Sequence, residues 1–93
     1  MPPVEVYTTP FCPYCVSVKE LLRDKGVNFV EFNVAGAPTL RAEMVSRAHG
    51  RTTVPQIFIG ATHVGGCDDL YELVEAGKLV PLLLGRHADM LKG

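Results

Sequence analysis

Nine glycines and seven prolines cut this chain into short segments, and their positions leave room for few folds. Pro10, Gly26, Gly50, Gly60, Gly65-Gly66 and Gly77 each interrupt a run of periodic hydrophobic residues. Before the first break, Val4–Thr8 reads as a strand with Val4 and Val6 on one face. Pro13–Lys25 repeats apolar residues at helical spacing through Val18, Leu21 and Leu22. A proline is tolerated in that first turn, where its missing N–H has no partner to lose. Val30, Phe32 and Val34 alternate with Glu31 and Asn33, the period of a half-buried strand. Leu40, Met44 and Ala48 place a second helix over Pro38–His49. Ile57-Phe58-Ile59 is apolar without a break, so Gln56–Ile59 is predicted as a strand covered on both faces. Thr62–Val64 returns as its hairpin partner. Asp69 and Glu72 resemble a capping box opening a helix that buries Leu70, Leu73 and Val74, and Pro81 starts a short helix through Leu84. The tail from Arg86 to Gly93 has little to pack and is expected to fray.

The order β-α-β-α-β-β-α-α predicts an α/β fold, a mixed four-stranded sheet flanked by helices on both faces. Its first strand–helix–strand unit must run parallel with a right-handed crossover. Residues 1–93 suit a single domain, and 47% hydrophobic residues with a net charge of -1 exclude intrinsic disorder. The cations are scattered from Lys19 to Lys92 and form no basic run, so neither nucleic acid nor membrane is an expected partner. Leu79–Leu84, the longest nearly apolar stretch, is far short of the ~18 residues that suggest a membrane span. The start, Met-Pro-Pro-Val-Glu, has neither the basic nor the apolar region of an export signal. Three cysteines, an odd count, do not suit a secreted disulfide framework. A cytoplasmic, reducing setting is expected, in which paired cysteines are more often catalytic or metal-binding than structural.

Cys12-Pro13-Tyr14-Cys15 falls where a strand ends and a helix begins. Backbone N–H groups in a helix's first turn lack partners, and the helix dipole puts partial positive charge there. Both favour thiolate, and cysteines so placed titrate at ~3.5–7.5 instead of ~8.5. Cys12 is the expected nucleophile, with Cys15 one turn inward. A fall to ~5 gains roughly 30-fold in thiolate at pH 7. It loses roughly 25- to 55-fold in intrinsic nucleophilicity, so attack is hardly faster. The advantage lies in Cys12 as a leaving group. The alternative is half a zinc site, but no second CxxC or HxxxH supplies the other ligands, and no metal is expected. His49, His63 and His87 fall on different elements and read as solvated surface residues.

Thr52-Thr53-Val54-Pro55 puts a proline at the start of an apolar strand, which residue statistics alone make an ordinary trans proline. Gly65-Gly66-Cys67-Asp68-Asp69 lays bare backbone before a helix N-terminus, suited either to a carboxylate or to a plain turn. Cys67 reads as a small, partly buried hydrophobe.

Taken together, Tyr7–Cys15, Thr53–Phe58 and Gly65–Leu70 resemble the dithiol glutaredoxins with a Cys-Pro-Tyr-Cys centre, of the small bacterial glutaredoxin-3 type. The resemblance runs from Val4 to about Leu84. It implies a thioredoxin fold and a glutathione-dependent thiol–disulfide oxidoreductase acting on glutathione mixed disulfides and protein disulfides. Cys12 is then the nucleophile and Cys15 the resolving thiol. Tyr14 flanks the bound glutathione, Val54 before a cis Pro55 pairs its backbone with the cysteinyl unit, and Thr53 and Gly66 are further glutathione-binding residues. Cys67, through its backbone, and Asp68 hold the γ-glutamyl end. Arg41 matches the position that reaches the glycyl carboxylate, against a plain reading as a solvated helix charge. Glutathione, glutathionylated proteins and disulfide substrates are the implied partners of a monomer, with ribonucleotide reductase a candidate client. Thr9 stands where many members carry Lys, so a higher Cys12 pKa or weaker glutathione affinity is expected. Two other readings stay open: a thioredoxin-like carrier fed by a flavoprotein reductase, and a glutathione-ligated [2Fe–2S] scaffold. Against the first, the centre is not Trp-Cys-Gly-Pro-Cys; against the second, Pro13 stiffens the loop where the scaffolds mostly have Gly.

Overall fold

The computed structural model describes residues 2–85, so the expectation for the tail from Arg86 onward lies outside the described residues. Along the chain run β1 (Val4–Thr8), α1 (Pro13–Asp24), β2 (Val30–Asn33) and α2 (Pro38–Arg47). They are followed by β3 (Gln56–Ile59), β4 (Thr62–Gly65), α3 (Cys67–Glu75) and α4 (Leu79–Leu83). The strands form one sheet in the order β2-β1-β3-β4. β1 runs parallel to β2 and antiparallel to β3, and β3 pairs antiparallel with β4. This is the mixed sheet and the element order that the hydrophobic periodicities predict.

Alternation along the two central strands divides the interior in two. Val4, Val6, Ile57 and Ile59 pack with Val18 and Leu22 of α1, Leu70 of α3, and Leu79, Leu82 and Leu83 of α4. On the other face Tyr7 and Phe58 pack with Val34 and with Met44 and Ala48 from α2 and its end. Each large apolar side chain buried this way is worth ~1.5–3 kcal/mol, so β1 and β3 form the rigid centre from which the loops project. The Tyr7 hydroxyl donates to Glu43 Oε1 at 2.9 Å and accepts from Arg47 Nη1 at 2.8 Å, while Arg47 Nη2 pairs with Glu5 at 2.9 Å. That polar cluster fastens α2 to β1.

The structure departs from the predicted pattern in four places. Val30 is 53% exposed, because β2 is the sheet's edge and the cover provided by α2 reaches Phe32 but not Val30. α2 stops at Arg47 instead of His49: Ala48 caps it, and His49 adopts a left-handed φ of 56° that a helix cannot contain. α4 begins at Leu79, which is buried, and Pro81 is accommodated inside its first turn. α3 begins at Cys67, so Asp69 closes the N-terminal cap back onto Gly66 and does not open a box with Glu72.

Candidate active site

Cys12 terminates the loop leaving β1 and serves as the N-cap of α1. Its backbone is extended, and its sulfur accepts the Cys15 N–H at 3.2 Å, the role usually filled by a Ser, Thr, Asp or Asn oxygen. Such a donor stabilises negative charge on the sulfur. Phe11, immediately before it, has a φ of 59° and a fully exposed ring. Cys15, one turn into the helix, is buried. Its thiol is pushed up to about 12 by burial, by its hydrogen bond with Cys12 and by the Cys12 charge. The two sulfurs of one motif therefore sit in opposite environments.

A groove of about 350 Å³ adjoins this sulfur pair. One wall is Tyr14, whose ring is 64% exposed; another is the turn Thr53-Val54-Pro55; the third is the start of α3 from Gly66 to Asp69. The Val54–Pro55 bond is cis, as the family resemblance implies. Gln56, fully buried, holds the turn from behind by donating through Nε2 to Thr53 O at 3.0 Å and Thr53 Oγ1 at 3.3 Å. Cys67 is half-buried, and its thiol is pushed up by burial, then by the nearby Asp68 and Cys12 charges. Nine of the residues singled out in the sequence are thus brought together: Cys12 and Cys15 at the helix start, and Tyr14, Thr53, Val54, Pro55, Gly66, Cys67 and Asp68 around the groove. Arg41 is placed differently. Its guanidinium donates from Nη2 to Thr52 O at 3.0 Å, and it is not among the residues lining the groove.

Arg51 lines the groove and was missed by the sequence reading. Its Nη1 meets Asp69 Oδ2 at 3.0 Å, and the same oxygen accepts the Gly66 N–H at 2.8 Å. These contacts, the Gly66 N–H first and Arg51 second, hold the Asp69 carboxyl below its ordinary range. The available signal was an isolated cation directly before Thr52-Thr53-Val54-Pro55, facing an acidic helix start. Gly65 makes the pairing possible: with φ +115° and no side chain, it leaves room where a Cβ would collide with Asp69 and Arg51.

The histidines are also not what the sequence suggests. His49 and His63 come together, Nδ1 to Nδ1 at 3.3 Å, because the left-handed turn after α2 swings His49 over β4. His63 is partly buried and stacks on Phe58. His87 lies outside the described residues. Among the described residues no helix is long and apolar enough to cross a membrane.

The glutaredoxin family model matches residues 4–64. Over 83 residues the chain is 61% identical to a glutaredoxin of Pseudomonas aeruginosa, covering 89% of this chain and 98% of that one. It is 58% identical over 80 residues to glutaredoxin 3 of Escherichia coli, covering 86% and 95%. Among solved structures, the glutaredoxin of Brucella melitensis superimposes with a TM-score of 0.78 at 57% identity over 89% of both chains. A buckwheat glutaredoxin–glutathione complex superimposes with a TM-score of 0.81 at 33% identity, over 91% of this chain and 79% of that one.

Proposed function

Because the chain belongs to the glutaredoxin family, we propose that it is a glutathione-dependent thiol–disulfide oxidoreductase, removing glutathione from mixed disulfides and reducing protein disulfides. The observation that carries this reading is the capping contact from Cys15 N–H to Cys12 Sγ beside a groove of tripeptide size. Glutathione offers two carboxylates, one amine and an extended peptide backbone. Facing them are the first-turn N–H groups of α3, the Asp68 carboxylate, the Arg51 guanidinium and the Thr53-Val54 backbone. The α3 N-terminus and Cys67 backbone take the γ-glutamyl carboxylate, and Asp68 takes the amine. Val54 pairs with the cysteinyl unit in strand fashion, as Tyr14 covers it from the α1 side. Arg41 serves the glycyl carboxylate only if it releases the Thr52 carbonyl.

In the first exchange the Cys12 thiolate attacks the glutathione sulfur of a mixed disulfide. The old S–S bond breaks, the substrate leaves as a thiolate that takes a proton from water, and Cys12 is joined to glutathione. A second glutathione thiolate then attacks the glutathione sulfur of that adduct. Oxidised glutathione departs and Cys12 leaves as thiolate, stabilised by the Cys15 N–H. Each turnover thus consumes one free glutathione: that glutathione and the mixed disulfide become oxidised glutathione and the substrate thiol. With a protein disulfide, Cys12 forms a mixed disulfide with the client, and Cys15 displaces the client by closing a Cys12–Cys15 bond.

The test is the initial rate of reducing a small glutathione mixed disulfide, with glutathione recycled by glutathione reductase and NADPH. Turnover that disappears in Cys12→Ser is expected. A folded protein with no turnover, yet reduced by a flavoprotein thioredoxin reductase, would replace this reading with that of a thioredoxin-like carrier.

A further inference from the structure

The contact between His49 and His63 has no part in the thiol chemistry, and its geometry settles which ring atoms are free. Gln56 donates through Nε2 to Thr53, so its Oε1 is the atom facing His63 Nε2, at 2.7 Å. An amide oxygen accepts only, and His63 Nε2 must therefore carry the proton. In the neutral ring His63 Nδ1 is then a bare lone pair. It points at His49 Nδ1, 3.3 Å away. The ring centroids are 5.4 Å apart, so the two rings meet through their Nδ1 edges and are not stacked.

We propose that His49 and His63 form a two-imidazole site for a divalent first-row transition cation, of which Zn²⁺ is the probe. Two nitrogens bound at 2.0–2.1 Å with a tetrahedral angle lie about 3.3–3.4 Å apart. The observed separation already meets that requirement. Occupation needs the exposed His49 ring to carry its proton on Nε2 and to shift until its Nδ1 meets an ion lying on the His63 Nδ1 lone pair. The outer contacts are those a metal-bound histidine uses: His63 Nε2–H is held by Gln56, which fixes tautomer and ring plane together. Phe58 stacks on the His63 ring at a centroid distance of 4.9 Å and keeps it from turning.

His49 owes its place to the turn that ends α2, in which the Gly50 N–H returns to Val45 O at 2.9 Å. It is one of two non-glycine residues with positive φ among those described, the other being Phe11 beside the nucleophile. A backbone in that region is uncommon for a residue with a side chain, and here it is what carries the ring across to β4. Arg51 and Arg47 both disfavour positive charge at His63, and each is offset by a carboxylate partner. Arg47 is paired with Glu5 at 2.9 Å and Arg51 with Asp69 at 3.0 Å. Among the described residues no third His, Cys, Asp or Glu joins the pair, so water completes the coordination and the ion exchanges readily. Imidazole ligands with open positions suit Zn²⁺, Ni²⁺ and Cu²⁺, and Mg²⁺ or Ca²⁺ poorly.

The experiment is a zinc titration of the full chain, oxidised at Cys12–Cys15 so that these thiolates do not compete. Imidazole ¹⁵N resonances are read for each histidine. The expected result is that the Nδ1 signals of His49 and His63 shift together and saturate at one zinc per chain, while magnesium moves neither. His49→Ala, a change at an exposed position, should weaken the zinc response of His63 about tenfold or more. A His63 signal unmoved by zinc, or moved equally in His49→Ala, would overturn the proposal. The readout is independent of turnover, so it stands or falls apart from the proposed thiol chemistry.

Discussion

The backbone N–H of Cys15 points at Cys12 Sγ from 3.2 Å, with the Cys15 thiol itself buried behind that contact. The thiol of Cys15 is pushed up to about 12 by burial first, then by hydrogen bonding to Cys12 and by its charge. The last two causes depend on a charged Cys12 and disappear once that sulfur is tied into a disulfide. In the proposed mechanism Cys15 therefore becomes easier to ionise once Cys12 is in the mixed disulfide. Alkylation of the reduced protein by iodoacetamide at pH 8, mapped by mass spectrometry, should modify Cys12 and leave Cys15 untouched until the chain unfolds. Equal labelling of both would contradict the burial of Cys15.

The same separation divides the two reactions. Cys15→Ser should retain most of the wild-type rate on a small glutathione mixed disulfide, because only Cys12 meets substrate there. Its reduction of a protein disulfide should fall to near background, since nothing displaces the client from Cys12. Paired assays on the two substrates check this, and loss of both activities would mean that Cys15 acts before resolution.

Arg51 supplies a cation to the groove while paired with Asp69. The pair is well exposed, with side-chain accessibilities of 46% and 39%, so its contribution is screened. Arg51→Ala is expected to raise KM for the glutathione mixed disulfide roughly two- to fivefold with kcat nearly constant, the size of a solvent-exposed charge contact. A fall in kcat at constant KM would instead place Arg51 in the chemical step.

Glu31 carries a pH signature. Its carboxyl is held below the usual range by the Thr8 hydroxyl, 2.7 Å away, against the opposing effect of partial burial, with Lys19 at 3.0 Å assisting. A lowered folded-state pKa means that the folded chain binds fewer protons than the unfolded one. The stabilisation is complete above the ordinary value of 4.5 and is lost as pH falls through the folded value. Urea midpoints should drop between pH 5 and pH 3 by less in Glu31→Gln than in the wild type, the difference amounting to no more than about 1 kcal/mol. An identical pH slope in both proteins would remove Glu31 from the account.

The fold was legible in the chain because both central strands obey period two and each helix keeps its apolar stripe, signals that depend on local spacing. The cysteine motif was equally legible, since Pro13 directly after Cys12 marks the first turn of α1 in the sequence itself. Arg51 and Asp69 were not, because their pairing joins a loop after α2 to the first turn of α3 across a positive-φ glycine. The His49–His63 contact was hidden for a similar reason: a left-handed residue ends α2 early, and no periodicity encodes where such a turn sends its side chain. Val30 was read as inward because alternation reports which side of the sheet a residue takes, and not whether a helix extends far enough to cover it.

The two glycines before α3 should behave unequally. Gly65 has φ +115°, and a Cβ there would run into the Asp69 carboxylate and the Arg51 guanidinium. Gly66 has an ordinary extended φ of -97°, and the nearest atoms to a Cβ there stand at 3.5 Å, an unstrained contact. Gly65→Ala strains the backbone at this φ and also pushes the ion pair aside, at a cost of roughly 1–3 kcal/mol. KM for the glutathione mixed disulfide should rise with it, because Arg51 and Asp69 both line the groove. Gly66→Ala should stay within about 1 kcal/mol of the wild type, the range of an N-cap exchange. Urea unfolding of the two variants side by side decides the matter. Equal losses would show that the pair of glycines supplies chain flexibility, and that the close approach at Gly65 has no energetic weight of its own.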